Sequence, residues 1–170
     1  MMRRTALWPS LGALVVLGAA IQLIPYGHNH TNPPVRQEPA WDSQATRGLV
    51  FRACYDCHSS QTVWPWYSRI APSSWLVQSD VDTGRRRLNF SEWDRPQRGG
   101  RAQSVERRIQ RGSMPPWYYV MMHSKANLSD AEKQALIQGL QTTIARNPPP
   151  PAAKAEDQGH EEQKGWVLAP

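Results

Sequence analysis

The run of apolar and polar positions divides the chain into four parts. Residues 7–24 contain no charge and are rich in Leu, Val, Ala and Ile, behind a start that carries Arg3 and Arg4, and Pro25 and Gly27 end the run. A membrane-crossing helix needs ~20 apolar residues, and the apolar part of a cleaved signal runs about 7–15. The stretch therefore predicts an uncleaved N-terminal transmembrane anchor over residues 1–27, with its positive end inside. A signal cut after Ala20 is the alternative, although residues 21–24 carry the apolar run past it. Either reading exports the rest of the chain. Residues 28–40 hold Pro33, Pro34 and Pro39 among polar side chains, the composition of an extended linker. Residues 147–170 open on Pro148 to Pro151 and continue with Lys, Glu, Gln and Gly, which predicts a disordered tail.

Residues 41–146 are left as the folded domain, and their periodicity is helical. Asp42 or Ser43 caps a helix with Ala45, Leu49, Val50 and Ala53 on one side. Pro72 and Ser73 start a second, with Trp75, Leu76, Val77 and Val81, and Gly84 stops it. Ser104 opens a short third, with Val105 and Ile109 one turn apart and Gly112 after it. Ser129-Asp130-Ala131-Glu132 is a capping box, and Leu136, Leu140 and Ile144 follow at helical spacing. No alternating strand pattern of useful length occurs. Trp64-Pro65-Trp66-Tyr67 and Met114-Pro115-Pro116-Trp117-Tyr118-Tyr119 read as stiff, aromatic, non-helical connections. The predicted fold class is all-α. Four short helices make a small core, which something large and apolar inside it would support.

Composition narrows the chemistry. At 170 residues the chain has room for one domain plus extensions. Two cysteines cannot staple a disulfide scaffold, and no Gly-rich phosphate loop or dinucleotide fingerprint is present. The net charge of +6 has one source. Nine arginines (85, 86, 87, 95, 98, 101, 107, 108, 111) face three acids, Glu92, Asp94 and Glu106, within one segment. The other eleven basic residues are balanced by eleven acidic ones. Such a segment suits carboxylates of a bound group, an acidic redox partner or anionic lipid, or simply a solvated helix face, which is the expectation for most of the nine. Nucleic acid does not fit an exported domain.

Cys54-Tyr55-Asp56-Cys57-His58 is Cys-x-x-Cys-His, and it uses both cysteines of the chain. In an exported protein this motif reads as covalent attachment of one c-type haem. Residues three apart at a helix end face the same side, so both thiols reach the vinyl groups, and His58 follows directly as the axial iron ligand. A thioredoxin-type pair would want a strand–helix–strand setting. A structural zinc site would want four ligands, and the other histidines are His28, His30, His123 and His160. A plain disulfide would leave the adjacent His unexplained. For the sixth ligand the stiff Ser-Met-Pro-Pro loop nominates Met114, with His123, Met121 and Met122 as rivals a few residues on. Met–His ligation raises a haem potential relative to a second His. Trp64, Trp66, Trp75 and Trp117 are candidates to wall the pocket, their ring N–H groups reaching propionates or backbone.

The residues resemble a small single-haem cytochrome c, and more specifically a bacterial family of membrane-anchored or periplasmic haem-binding domains. The resemblance is carried by Ile-Gln-Leu-Ile-Pro-Tyr-Gly at 21–27, His-Thr-Asn-Pro-Pro-Val at 30–35, Cys-Tyr-Asp-Cys-His-Ser-Ser at 54–60 and Trp-Pro-Trp-Tyr-Ser at 64–68. Ile-Ala-Pro-Ser-Ser-Trp-Leu at 70–76, Leu-Asn-Phe-Ser-Glu-Trp at 88–93 and Met-Pro-Pro-Trp-Tyr-Tyr at 114–119 continue it. It implies covalent haem on Cys54 and Cys57 with His58 on the iron, and an anchored, periplasmic domain. The expected function is periplasmic electron transfer or redox sensing with a redox partner protein, without bond-making chemistry. A peroxide-reducing enzyme with an open or displaceable sixth position, or a haem-dependent interaction module, is the alternative.

Overall fold

A computed structural model describes residues 7–152. The domain starts where its cap residue predicts: the Ser43 hydroxyl accepts from Thr46 N at 3.1 Å, and α2 (Gln44–Ala53) follows. Thr46, Val50 and Ala53 are its buried face, at the four-and-three spacing of a helix side. At the other end, α7 (Asp130–Arg146) opens on the predicted capping box. Glu132 N donates to Ser129 Oγ at 3.2 Å, and Ser129 N donates to Glu132 Oε2 at 2.8 Å. This helix buries Leu136, Ile137, Leu140 and Ile144.

The two helices pack on each other, and Gly139 permits it. A Cβ there would overlap Thr46 Oγ1 and lie 2.7 Å from Thr46 Cγ2. Tyr55, Leu88, Phe90, Trp93 and Leu128 complete the core, with Phe90 stacked between Trp93 (5.9 Å) and Tyr55 (6.3 Å). α5 (Ala102–Gln110) joins it through buried Ile109 and lies against α7.

α4 (Ser73–Arg87) departs from its sequence pattern twice. It continues past Gly84, which serves as a close-contact residue: a Cβ there would overlap the carbonyl oxygen of Cys57. The face it buries is Ser74, Gln78, Val81 and Gly84, so its bulky apolar residues are turned elsewhere, and Leu76 is 47% exposed. The two aromatic connections also differ from expectation, because both contain short helices. Trp66–Arg69 is a 3-10 turn and Trp117–Met122 is α6. Each follows an extended proline, Pro65 or Pro116, and a residue at a helix start has no need of the N–H that proline lacks.

The transmembrane anchor expected over residues 1–27 is corrected by the structure. α1 spans Leu7–Ala20 and gives way to a 3-10 turn at Ile21–Leu23. Among the described residues no helix is long and apolar enough to cross a membrane. Fourteen residues of α-helix rise about 21 Å against a hydrocarbon core of ~30 Å. The end of the apolar run is instead tied to the domain, where the Gln22 side chain brackets one residue: Ala71 N donates to its Oε1 (2.9 Å), and its Nε2 donates to Ala71 O (3.1 Å).

Both flanking segments lie along the domain. Arg36 N and Gln37 N donate to Ser91 O at 2.8 and 3.1 Å, and Trp93 N donates to Gln37 O at 3.0 Å. Behind α7, Asn147 O accepts from Trp93 Nε1 at 2.8 Å and Pro150 O from Gln97 N at 3.1 Å. The rest of the proline-rich tail, from residue 153, lies outside the described residues.

Gly139→Ala is expected to cost about 1–3 kcal/mol by overpacking and to lower the thermal midpoint by several degrees. Gly48→Ala, where nothing lies within 4 Å, is expected to hold or raise it. The Arg52 side chain, 2.7 Å from Glu132 Oε1, and the Ser129 N–H hold the Glu132 carboxyl at about 2. A depressed folded-state value stabilises the protein above the ordinary glutamate value of about 4.3. That stability is lost as pH falls from there towards 2. Denaturation midpoints across that window should fall less steeply in Glu132→Gln.

Candidate functional site

α2 runs directly into the Cys-x-x-Cys turn. Cys54 N donates to Val50 O at 2.8 Å, closing α2, while Cys54 O accepts from Cys57 N (3.2 Å) and His58 N (2.9 Å). That opens α3 (Tyr55–His58), a single turn. Both cysteines are free, partly buried thiols. Burial pushes each up to about 12, with Asp80 and Asp56 adding to the rise at Cys57.

His58 is held at two points by the chain that leaves α4. Its Nδ1 donates to Leu88 O at 2.8 Å, and its main-chain oxygen accepts from Phe90 N at 2.8 Å. A carbonyl can only accept, so the proton sits on Nδ1 and Nε2 keeps its lone pair. Burial lowers the pKa of the ring, against the opposing pull of the Leu88 carbonyl, and so favours the neutral, ligating form.

Arg85 secures the far side of the turn. It donates to Ser59 O (2.8 Å), Thr31 O (3.1 Å), Asn32 Oδ1 (2.9 Å) and Thr62 Oγ1 (2.9 Å), four neutral oxygens from three segments. Burial lowers its pKa. The sequence analysis missed this role. The available signal was periodicity, since Arg85 lies four residues after Val81 and seven after Gln78, both on the buried face. Arg86, Arg87, Arg95, Arg98, Arg101, Arg107, Arg108 and Arg111 are exposed, as expected for a solvated face.

Beside the turn lies an open cleft of about 320 Å³. α4 contributes Leu76, Val77 and Val81, the 62–67 loop contributes Val63, Pro65, Trp66 and Tyr67, and α6 contributes Tyr118, Tyr119, Met121 and Met122. Cys57 and His123 line the same space. α6 is tied across it by two tyrosines. Tyr119 OH donates to Asp56 Oδ2 at 2.7 Å and Tyr118 OH to Asp80 Oδ2 at 2.9 Å. Burial raises the pKa of both phenols, Tyr118 to about 12, and raises that of Asp80. Neither tyrosine was singled out for this role in the sequence, since the pairing depends on partners 38 and 63 residues away.

Of the predicted ligand set, Cys57 and His123 line the cleft; Cys54 and His58 belong to the same turn as Cys57; Met114 follows α5, its N–H donating to Arg108 O at 3.2 Å, and is not among the lining residues. Of the four tryptophans considered as walls, Trp66 lines the cleft. Trp64 stacks on His30 at 4.5 Å, and Trp117 is 73% exposed. The indole N–H groups of Trp64 and Trp75 are buried without an acceptor among the described residues.

The residues present fit a haem. Val63, Trp66, Leu76, Met121 and Met122 leave large apolar side chains exposed around one cleft, a surface that a large apolar ligand would cover. Two free thiols and one imidazole whose Nδ1 donates to Leu88 O stand on the adjoining turn. A family model described as a haem-binding domain matches residues 16–142 of the chain. No curated protein and no solved structure matches it.

Arg85→Ala removes four hydrogen bonds and strands the buried Ser59 carbonyl. It is expected to destabilise the domain by about 2–3 kcal/mol, whereas Arg86→Ala, at an exposed site, should change stability by less than about 0.5 kcal/mol. Chemical denaturation of the two variants side by side checks the difference.

Proposed function

The chain belongs to the haem-binding domain family, and on that premise we propose that it carries a single covalent haem c and works in periplasmic electron transfer or redox sensing. The observation that carries this reading is the turn at 54–58, where two free thiols stand one helical turn apart and His58 has its Nδ1 proton committed to Leu88 O. Cys54 and Cys57 would form the two thioethers, and His58 Nε2 would take the iron. Bound haem supplies one-electron chemistry, its iron alternating between ferric and ferrous. The chain's part would be to hold the imidazole through Leu88 O and to offer the apolar lining of Leu76, Val77 and Val81.

Two features support a carrier over an enzyme. The cleft carboxylates, Asp56 and Asp80, are engaged as acceptors by Tyr119 and Tyr118, a use that holds α6 in place. The eight exposed arginines at 86–111 suit encounter with an acidic redox partner, whose approach they would accelerate at low salt. The charged start followed by an apolar run at 7–24 has the order of an export signal and supports a periplasmic setting.

The test is production of the full chain alongside a cytochrome c maturation system. Haem should stay on the polypeptide through denaturing electrophoresis. Cys54→Ala and Cys57→Ala should each leave a single thioether, visible as a shift in the reduced pyridine–haem spectrum, and the double variant should release the haem entirely. Haem extracted intact from the wild type by acidified solvent would sink covalent attachment.

A further inference from the structure

We propose that His123 supplies the second axial ligand, so that the iron is held by two histidines, His58 and His123, and not by His58 and Met114. This rests on the reading of the site as a covalent haem centre.

Placement is the first argument. His123 shares the lining of the cleft with Cys57 of the Cys-x-x-Cys turn. The second is the way the ring is held. His123 Nδ1 donates to Tyr119 O at 3.1 Å, as His58 Nδ1 donates to Leu88 O at 2.8 Å. In both rings the carbonyl fixes the proton on Nδ1 and leaves Nε2 with its lone pair, the arrangement that orients a metal-bound imidazole.

The third argument is rigidity. The His123 ring stacks on Tyr119 at 4.1 Å with 18° between planes, and Tyr67 meets it edge-on at 6.4 Å. Tyr119 OH in turn donates to Asp56 Oδ2 at 2.7 Å, and Asp56 lies between the two cysteines. The second imidazole is thereby registered to the attachment turn by one continuous set of contacts. On the far side, Ala126 N donates to His123 O at 2.8 Å, and Ala126 is buried in the core. The neighbouring thioethers lack such restraint, with Met121 69% and Met122 54% exposed. Two imidazoles hold the ferric state better than an imidazole and a thioether do. The partners of such a centre would therefore be low-potential donors and acceptors.

The experiment uses the full haem-loaded chain. Wild-type ferric protein should be low-spin by electron paramagnetic resonance and lack the charge-transfer absorption of a thioether bound to ferric haem. His123→Gly should turn high-spin, and added imidazole should return it to low-spin. Met114→Ala should keep the wild-type spectrum and potential. His123→Met, which preserves a ligand of another kind, should stay at least partly low-spin with a raised potential. A His123→Gly protein that remains low-spin without imidazole overturns the proposal, as does loss of the low-spin signal in Met114→Ala. These outcomes leave covalent attachment standing. A wild type without covalent haem on a denaturing gel overturns the attachment reading and this inference together.

Discussion

The close approach of α4 to the Cys-x-x-Cys turn is the constraint on which the site depends. Gly84 removes the side chain that would strike the Cys57 carbonyl, and α3 and α4 can then lie against each other. With α4 in that place, the chain leaving it runs past the turn and supplies Leu88 O to the His58 ring and Phe90 N to the His58 carbonyl. One turn earlier, Arg85 reaches Ser59 O. The three contacts fix the backbone, the ring plane and the exit of the motif. Moving α4 outward by one methyl group would loosen all of them together.

The same helix explains an oddity of the core. α4 turns Ser74, Gln78 and Gly84 inward with Val81 and gives Leu76 and Val77 to the cleft. A helix that simply packed would bury its bulkiest face. Small and polar residues on the inward side permit close packing, and the larger apolar ones are kept for a ligand. The protein thus carries apolar surface that its own chain leaves exposed, in keeping with a domain whose interior is completed by a cofactor.

The arginine-rich segment divides in the same way. Arg85 is half-buried and binds only neutral oxygens, whereas the other eight of the nine are exposed. Net charge alone would treat these as one patch, but the helical period separates a residue that holds the site together from those available to a partner. α6 adds the last wall. It buries none of its own residues and stays in place through Tyr118 and Tyr119, whose acceptors stand on α4 and on the Cys-x-x-Cys turn.

Much of this was legible in the sequence because the signals were local. The Ser129–Glu132 capping box, the Ser43 cap and the Cys-x-x-Cys-His spacing depend on residues within one turn of each other, and they appear as written. The N-terminal apolar run was also legible, but its length was overread: how far a helix continues depends on what its end meets, and here Gln22 meets Ala71. The cleft could not be read from the chain. Cys57, Leu76, Tyr119 and His123 are separated by many residues and share no local pattern, so only the packing of α3, α4 and α6 brings them together. By itself the sequence determined the helical class, the caps and the Cys-x-x-Cys-His motif, since backbone hydrogen bonding and side-chain period act at short range. Only the tertiary structure decided which apolar face stays open, which arginine ties the turn to its neighbours and which histidine shares the cleft with Cys57, because those outcomes depend on contacts between distant segments.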